Sequence, residues 1–483
     1  MARKLKPLHH YRVPMFVAIV FGILLGTLVL IQIGKGYRPD MSNGGKIKPT
    51  GLLVATSTPK GAQVYVNGEL KTATDDTISL DPGTYQVSIR KDGFIPWEKQ
   101  IVVEKELVTQ TNTTLFPIVP DLKSLTYTGA VNPSLAPNGT RILYAVPNPT
   151  DESVASASAQ MGDETTESAE FQNSLEIADD KAGLWLLDLD DLPLGFSRDP
   201  RQLVTGDPAV GEWSQATFVW SPDSQDVLAL FYPEVGPDSE AEEAATASEV
   251  KPSRVYRLSV SDTIAPGQLV NIVNQYALIM DEWNLEWETQ ATQQLNTLPK
   301  GLTQLFATSA ADLTFSPDET KIAYIATDSA QLAEAYIPPI LAASTQTESR
   351  ELIPGSLYVY DLKEDRNFLI HQDFLNDDQL AAYQQDGITI DSNGINTHPL
   401  SSESFSNGIV TYEWFPTSRH LVKSEDNKVT ILEYDNTNHA TIYSAATPIM
   451  DVLPHPSSQK LIVLTTLNPA SAPLPNLYTL ILE

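Results

Sequence analysis

The side chains able to do chemistry are many and dispersed. The chain holds 61 Asp and Glu, seven His and no Cys. Without cysteine there is no thiol catalysis, disulfide framework, Cys-ligated zinc or iron–sulfur cluster. His9 and His10 adjoin, but His371, His398, His420, His439 and His455 are scattered. No H-E-x-x-H, G-x-S-x-G, phosphate loop or G-x-G-x-x-G occurs. Two carboxylates facing each other across a channel would suit glycoside hydrolysis, yet among so many acids no spacing marks a pair. The sequence therefore names no catalytic residue, no cofactor-binding residue and no metal ligand, and implies no cofactor.

Charge is unevenly placed. Residues 1–50 carry eight Lys and Arg against one acid, Asp40, and the rest of the chain carries 23 basic and 60 acidic side chains. The overall charge of −30 excludes a general nucleic-acid binder, which needs a basic footprint. A basic head on an acidic body is the pattern of a membrane-anchored protein. Residues 13–33, VPMFVAIVFGILLGTLVLIQI, contain no charged residue. At about 1.5 Å per residue this predicts a transmembrane helix spanning roughly 30 Å. Its length and the absence of an A-x-A site argue for an uncleaved anchor. Residues 1–12 are then a cytoplasmic tail, and the large acidic body lies outside in a single-pass arrangement at the cell membrane. Gly22 and Gly26 form a small-xxx-small pair, common in such helices with or without dimerisation.

Residues 34–50, rich in Gly, Pro, Ser and Lys, read as a linker. Over 51–117 short alternating strands are separated by turn signals: Pro59-Lys60-Gly61, Asn67-Gly68, Asp81-Pro82-Gly83 and Asp92-Gly93. About five strands in this span predict a small β-sandwich. The segments TPKGAQVYVNG and LDPGTYQVSIRKDGF, followed by a final strand, resemble the PEGA domain. Lys60 stands where that motif has an acid, a turn position at which the fold tolerates change. The resemblance implies an extracytoplasmic binding or spacer module without catalysis.

From 121 to 483 a different unit repeats. ADLTFSPDETKIAYIA (311–326) places Leu313 and Phe315 on one face, turns at Ser316-Pro317-Asp318 and returns through Ile322 and Tyr324. NPSLAPNGTRILYAV, FVWSPDSQDVLALF, YEWFPTSRHLVKS and VLPHPSSQKLIVLTT repeat it, each followed by a third strand. Weaker fourth segments such as RQLVTGD and ATIYSA follow some of them. Four-stranded units repeated five times predict a β-propeller. A divergent sixth blade has room between 262 and 311. DLKSLTYTGA (121–130) is expected to supply the outer strand of the last blade and close the ring. The units resemble the blades of TolB-like propellers, with Asp223, Asp318 and Asn138 in the shared turn. Ser224 and Glu319 replace the Gly of that motif, and the last two units keep only Pro416 and Pro456.

Acidic inserts at 147–182 and 233–252 lack the ligand spacing of a calcium loop and read as disordered, solubilising loops. Over 274–308 the strand rhythm gives way to helical spacing. Tyr276, Met280, Trp283 and Trp287 form one stripe, and Leu295, Leu298, Leu302 and Leu305 continue it. A helix hairpin on the propeller rim is expected, its Trp pair packed on the blades or anchoring a partner. The apolar loop IPPILAAS (337–344) is a candidate contact surface near the channel mouth. The aspartates of the Pro-containing turns read as turn-formers.

The expected whole is all-β: an N-terminal transmembrane helix, a PEGA-like sandwich, then a propeller of five or six blades with a helical insertion. Its expected role is a membrane-anchored binding or scaffold protein of the cell envelope, not an enzyme. Its partners would be the membrane through residues 13–33 and an envelope protein or cell-wall glycan, with no nucleic acid. The alternative is a surface polysaccharide hydrolase or lyase using carboxylates in the channel. A sensor signalling through the cytoplasmic tail is a weaker reading, since that tail offers little to bind.

Overall fold

The computed structural model describes residues 12–34, 38–40, 46–48, 50–147, 181–190, 199–207, 209–233, 251–338, 344–385, 404–468 and 474–483. The bulk of both acidic inserts and residues 339–343 of the apolar loop lie outside the described residues. The chain forms two compact units, Met1–Leu115 with Pro339–Gln346, and Phe116–Pro338 with Thr347–Glu483.

In the first unit a helix runs over Arg12–Gly34 with its apolar side chains exposed, Phe16 at 68% and Leu30 at 69%. A helix stands where one was expected, but its membrane-spanning character is not supported. Among the described residues no helix is long and apolar enough to cross a membrane. The expected linker holds a short hairpin, Arg38–Asp40 paired with Lys46–Lys48.

The β domain that follows is richer than five strands. One sheet orders Glu69–Ala73, Gln63–Val66, Gly83–Arg90 and Trp97–Val103; the other sets Gly51–Ala55 between Val108–Gln110 and Asp76–Leu80. The pairing of Gly51–Ala55 with Val108–Gln110 is parallel, a long-range contact that local alternation does not announce. Leu53, Val64, Val87, Ile89, Trp97 and Val103 from both sheets fill one core. Asn67 (φ 51°) and Gly68 (φ 80°) are both left-handed, the conformation that makes Asn-Gly a two-residue hairpin turn.

Among the described residues the second unit contains five larger antiparallel sheets, here blades 1 to 5, besides the two-stranded pair Ala330–Gln331 with Glu351–Leu352. Blade 1 comprises Val131–Leu135, Arg141–Val146, Gly183–Asp188 and Arg201–Thr205. Blade 2 comprises Thr217–Trp220, Asp226–Phe231 and Arg254–Ser259. Blade 3 comprises Ala310–Phe315, Lys321–Ala326, Leu357–Asp361 and Arg366–His371. Blade 4 comprises Val410–Trp414, His420–Glu425, Lys428–Glu433 and Ala440–Ser444, with Ser404–Ser406 added at its first edge. Blade 5 comprises Ile449–Pro454, Lys460–Thr465 and Asn476–Ile481, and its last position is taken by Asp121–Ser124.

That last pairing is the expected closure, with Asp121 opposite Ile481 and Ser124 opposite Tyr478. A buried network holds it: Thr126 donates to Oδ1 of Asn476 (3.0 Å), Gly129 N–H donates to the same oxygen, and Leu477 N–H donates to Thr126. The cores trace the ring. Blades 5 and 1 share Leu453, Ile462, Leu464, Ile142 and Tyr144; blades 1 and 2 share Leu143, Leu186, Trp213, Trp220 and Phe231; blades 3 and 4 share Val359, Phe368, Tyr412 and Trp414. Blades 4 and 5 meet where Ile449 N–H donates to Asp426 O.

No sixth sheet lies between blades 2 and 3 among the described residues. Helices Tyr276–Leu295 and Lys300–Ser309 take its place. Ile279 and Trp283 pack on Leu228, Leu230 and Val255 of blade 2. Leu295, Leu298, Leu302 and Phe306 pack on Ile322, Tyr324 and Tyr358 of blade 3. The stripe spacing is therefore a packing signal, and Trp283 is 5% exposed with Trp287 edge-on to it at 6.4 Å. The helices belong to the ring, not its rim, because they bury apolar surface that blades 2 and 3 would otherwise leave open.

The Pro-containing turns share one geometry. Gly139, Ser224, Glu319, Ser418 and Ser458, the fourth residue of each, all have φ between 55° and 68°. Asp223 accepts from Ser221 (2.6 Å) and Gln225 N–H, and Asp318 accepts from Ser316 (2.8 Å) and Thr320 N–H. These aspartates close the turns. A non-glycine residue pays about 1 kcal/mol in this conformation. Ser224 and Ser418 offset this by accepting from Asn138 N–H and Asp318 N–H on the preceding blade. Ser458→Gly is therefore expected to stabilise the protein by about 0.5–1 kcal/mol in denaturant unfolding, while Ser224→Gly and Ser418→Gly give no gain. Equal gains at all three positions would contradict the inter-blade role of the two hydroxyls.

Candidate functional site

The first strands of the blades form the edge that, in a propeller, faces the central channel. Between blades 1 and 2 this edge holds a cleft of about 450 Å³, lined by Asn132, Pro133, Ser134, Ser214, Gln215, Ala216, Thr217 and Phe218. Its shape follows from two local features. A bulge between Val131 and Ser134 sets Asn132 left-handed (φ 50°), a conformation Asn adopts more readily than most residues. Its Nδ2 donates to Ala216 O at 2.6 Å, tying the two blades. On the other wall a 3-10 turn, Trp213–Gln215, buries Trp213 against Phe231 and Tyr256 and brings Ser214 and Gln215 to the cleft. Trp220 Nε1 donates to the Ser134 hydroxyl at 2.9 Å across the floor.

No lining residue titrates. The wall offers amides, hydroxyls and one half-buried ring, which suits recognition of a polar ligand by hydrogen bonds and stacking. Two buried donors, Trp213 Nε1 and Ser214 Oγ, have no hydrogen-bond partner among the described residues, and Ser214 lines the cleft itself.

A second, much smaller cavity of about 30 Å³ lies between blades 4 and 5, lined by Thr411, Glu413, Val422, Ser424, Met450, Asp451 and Val452. Two carboxylates, Glu413 and Asp451, are among its lining residues. Burial pushes the Asp451 carboxyl up to about 6, against the opposing effect of the Val452 N–H that it accepts at 2.9 Å. A raised acid beside a second carboxylate is the pairing expected of a glycosidase. The cavity nonetheless holds about one water, and a sugar ring has no room between these groups.

The four described histidines stay apart. His371 faces Tyr412, His420 bonds Thr417 and lies edge-on to Phe116, His439 bonds Asn436 and His455 bonds Ser457. Among the described residues no group of three His, Asp or Glu could hold a metal ion. The cleft residues were not singled out from the sequence, since they come from segments some 80 residues apart.

Residues 50–118 match the PEGA domain family. The PEGA domain thus coincides with the two-sheet β domain of the first unit. No curated protein matches the chain. Among solved structures, the chain is similar to a TolB-type protein from Agrobacterium tumefaciens at 10% identity, covering 72% of this chain and 70% of that one, with a TM-score of 0.19. It is also similar to the β-propeller domain of the Trilobed protease from Pyrococcus furiosus, described as an open velcro topology, at 10% identity, covering 90% and 96%, with a TM-score of 0.19. A gluconolactonase from Xanthomonas campestris matches at 11% identity over 75% and 90%, with a TM-score of 0.21. At such scores these likenesses carry no weight for this chain, and the propeller architecture rests on the five blades and the pairing of Asp121–Ser124 with Asn476–Ile481.

Proposed function

We propose that this protein is a binding or scaffold component of the cell envelope, attached to a membrane through the apolar helix Arg12–Gly34, with its propeller as the platform for an envelope protein or a cell-wall glycan. The observation that carries the reading is the neutral cleft between blades 1 and 2, whose lining offers amides and hydroxyls and no acid or base. The PEGA domain supports a place outside the cytoplasm. What supports attachment is the all-round exposure of Met15, Phe16, Ile19, Phe21, Leu24 and Leu28 on the helix, a surface that water disfavours.

Purified full-length protein mixed with host envelope material and sedimented tests this reading. Retention without release of sugar is expected, and Thr217→Trp, which fills the cleft from an exposed strand position, is expected to lower retention at least about tenfold. Released sugar would replace the reading with an enzymatic one. Alkaline washing of host membranes tests the attachment: the protein should stay in the pellet, and its appearance in the wash would remove the membrane from the proposal.

A further inference from the structure

Blades 1 and 2 share several local features with blades 3 and 4 around the cleft, although blade 4 carries the edge strand Ser404–Ser406, which has no counterpart among the described residues of blade 2. The bulge Val131/Ser134 matches the bulge Ala311/Thr314, and left-handed Asn132 (φ 50°) matches left-handed Asp312 (φ 52°). Trp220 donating to Ser134 matches Trp414 donating to Thr314 O at 3.1 Å. Ser224 accepting from Asn138 matches Ser418 accepting from Asp318. By the same register Ala216 and Phe218 stand where Val410 and Tyr412 stand in blade 4.

At the second place the chain fills its own notch. After blade 3 the short helix Asp377–Gln385 returns over these edges. Tyr383 donates its hydroxyl to Oδ2 of Asp312 and packs against the core that contains Val410, Tyr412 and Trp414. Gln384 donates to Thr327 O at 2.8 Å and Gln379 to Asn407 O at 2.9 Å, fixing the helix there. At the first place no described segment does the same, and the notch is the cleft of about 450 Å³. Asn132 uses its Nδ2 on Ala216 O, and its Oδ1, the counterpart of the Asp312 acceptor, has no partner among the described residues. Ser214 lines the same space.

We propose that the cleft between blades 1 and 2 is a seat for a tyrosine side chain presented by a partner protein, held as Tyr383 is held on blades 3 and 4. The ring lies against Ala216 and Phe218, and the phenol donates to Oδ1 of Asn132. This rests on reading the propeller as a binding module and narrows its ligand to one chemical class.

The test uses full-length protein in detergent and two small probes, N-acetyl-tyrosinamide and N-acetyl-phenylalaninamide, followed by ligand-observed saturation-transfer NMR. The tyrosine probe is expected to bind about fivefold more tightly than the phenylalanine probe, the effect of one hydrogen bond. Asn132→Gly, which keeps the left-handed backbone accessible, should bring the ratio to about one, and Thr217→Trp should abolish both signals. Equal binding of the two probes, or signals unchanged by Thr217→Trp, overturns the proposal. A photo-crosslinking residue at position 217, used in host envelopes, separates this failure from a wider one. An adduct without tyrosine preference removes the tyrosine assignment and keeps the binding module; no adduct and no probe binding removes both.

Discussion

Asp361→Ala is expected to destabilise the propeller by about 3–5 kcal/mol, read as a shift in denaturant midpoint without loss of the β signal. Asp361 and Lys321 face each other on neighbouring strands of blade 3, with side chains 4% and 8% exposed and 3.6 Å apart. Lys321 Nζ also donates to Thr320 at 3.0 Å and lies 4.7 Å above the ring of Tyr434 on blade 4. The Asp361 carboxylate accepts from Lys363 N–H (2.8 Å) and Glu364 N–H (2.9 Å), which closes the turn after its strand. Removing it orphans a buried ammonium and two amides together. Burial already lowers the Lys321 pKa, with Asp361 and then Asp318 opposing that shift. Without Asp361 the shift deepens. A lysine whose folded pKa lies below its unfolded one binds fewer protons when folded, so stability rises with pH between the two values. The deficit of the variant should accordingly narrow as pH approaches 10.5, the ordinary lysine value. The double variant Lys321→Met with Asp361→Asn removes both charges and keeps an acceptor for the two amides. It should recover most of the loss, giving a large coupling energy in a double-mutant cycle. A loss below about 1 kcal/mol in the single variant would show that the seam between blades 3 and 4 is held by apolar packing alone.

How much of this was legible in the sequence follows from how local each feature is. The Pro-containing turns could be read because a turn is specified by four consecutive residues. Even Ser224, Glu319, Ser418 and Ser458 keep the left-handed turn that Gly139 shows, so a lost glycine did not mean a lost turn. The closing strand was legible because 121–130 stands just ahead of the first unit while the last unit shows only three strands of its own. By contrast, the parallel pairing of Val108–Gln110 with Gly51–Ala55 spans the whole β domain, and no local pattern encodes it. The spacing Tyr276, Met280, Trp283, Trp287 announced a helix. That the helices replace a blade was not legible, since only the two cores they join reveal it.

The cleft was hidden for a related reason. Its walls come from Asn132–Ser134 and Ser214–Phe218, which meet only once two blades pack. One signal was present. FVWSPDS and YEWFPTS both carry a Trp before the turn, and aligning the units on those tryptophans and prolines sets Asn132 beside Asp312. The alignment also leaves Asp377–Gln385 without a counterpart after blade 1. A short helix with few apolar residues gives weak periodicity, so its function as an internal plug could be read only from where Tyr383 lands.

The carboxyl of Asp451 should make the protein less stable as pH rises through the range from about 4 to about 6, and Asp451→Asn should abolish that trend. Its ordinary value of 3.8 is raised to about 6 by burial in the seam between blades 4 and 5, where Glu413, Thr411 and Ser424 share the same small cavity. An acid with a higher pKa folded than unfolded binds more protons in the folded state. Its neutral form is accommodated below about pH 4, and the cost of burying its charge grows until about pH 6 and stays constant above. A shift of about two units corresponds to about 3 kcal/mol. Asparagine keeps the size and the oxygen that accepts from Val452 N–H but never ionises. The variant should match the parent near pH 4 and exceed it by about 2–3 kcal/mol above pH 7, a Tm gain of several degrees. Unfolding measured across pH 4 to 8 gives the answer through its slope. A stability difference that stays constant over that range would place the Asp451 ionisation outside it and leave the seam insensitive to pH.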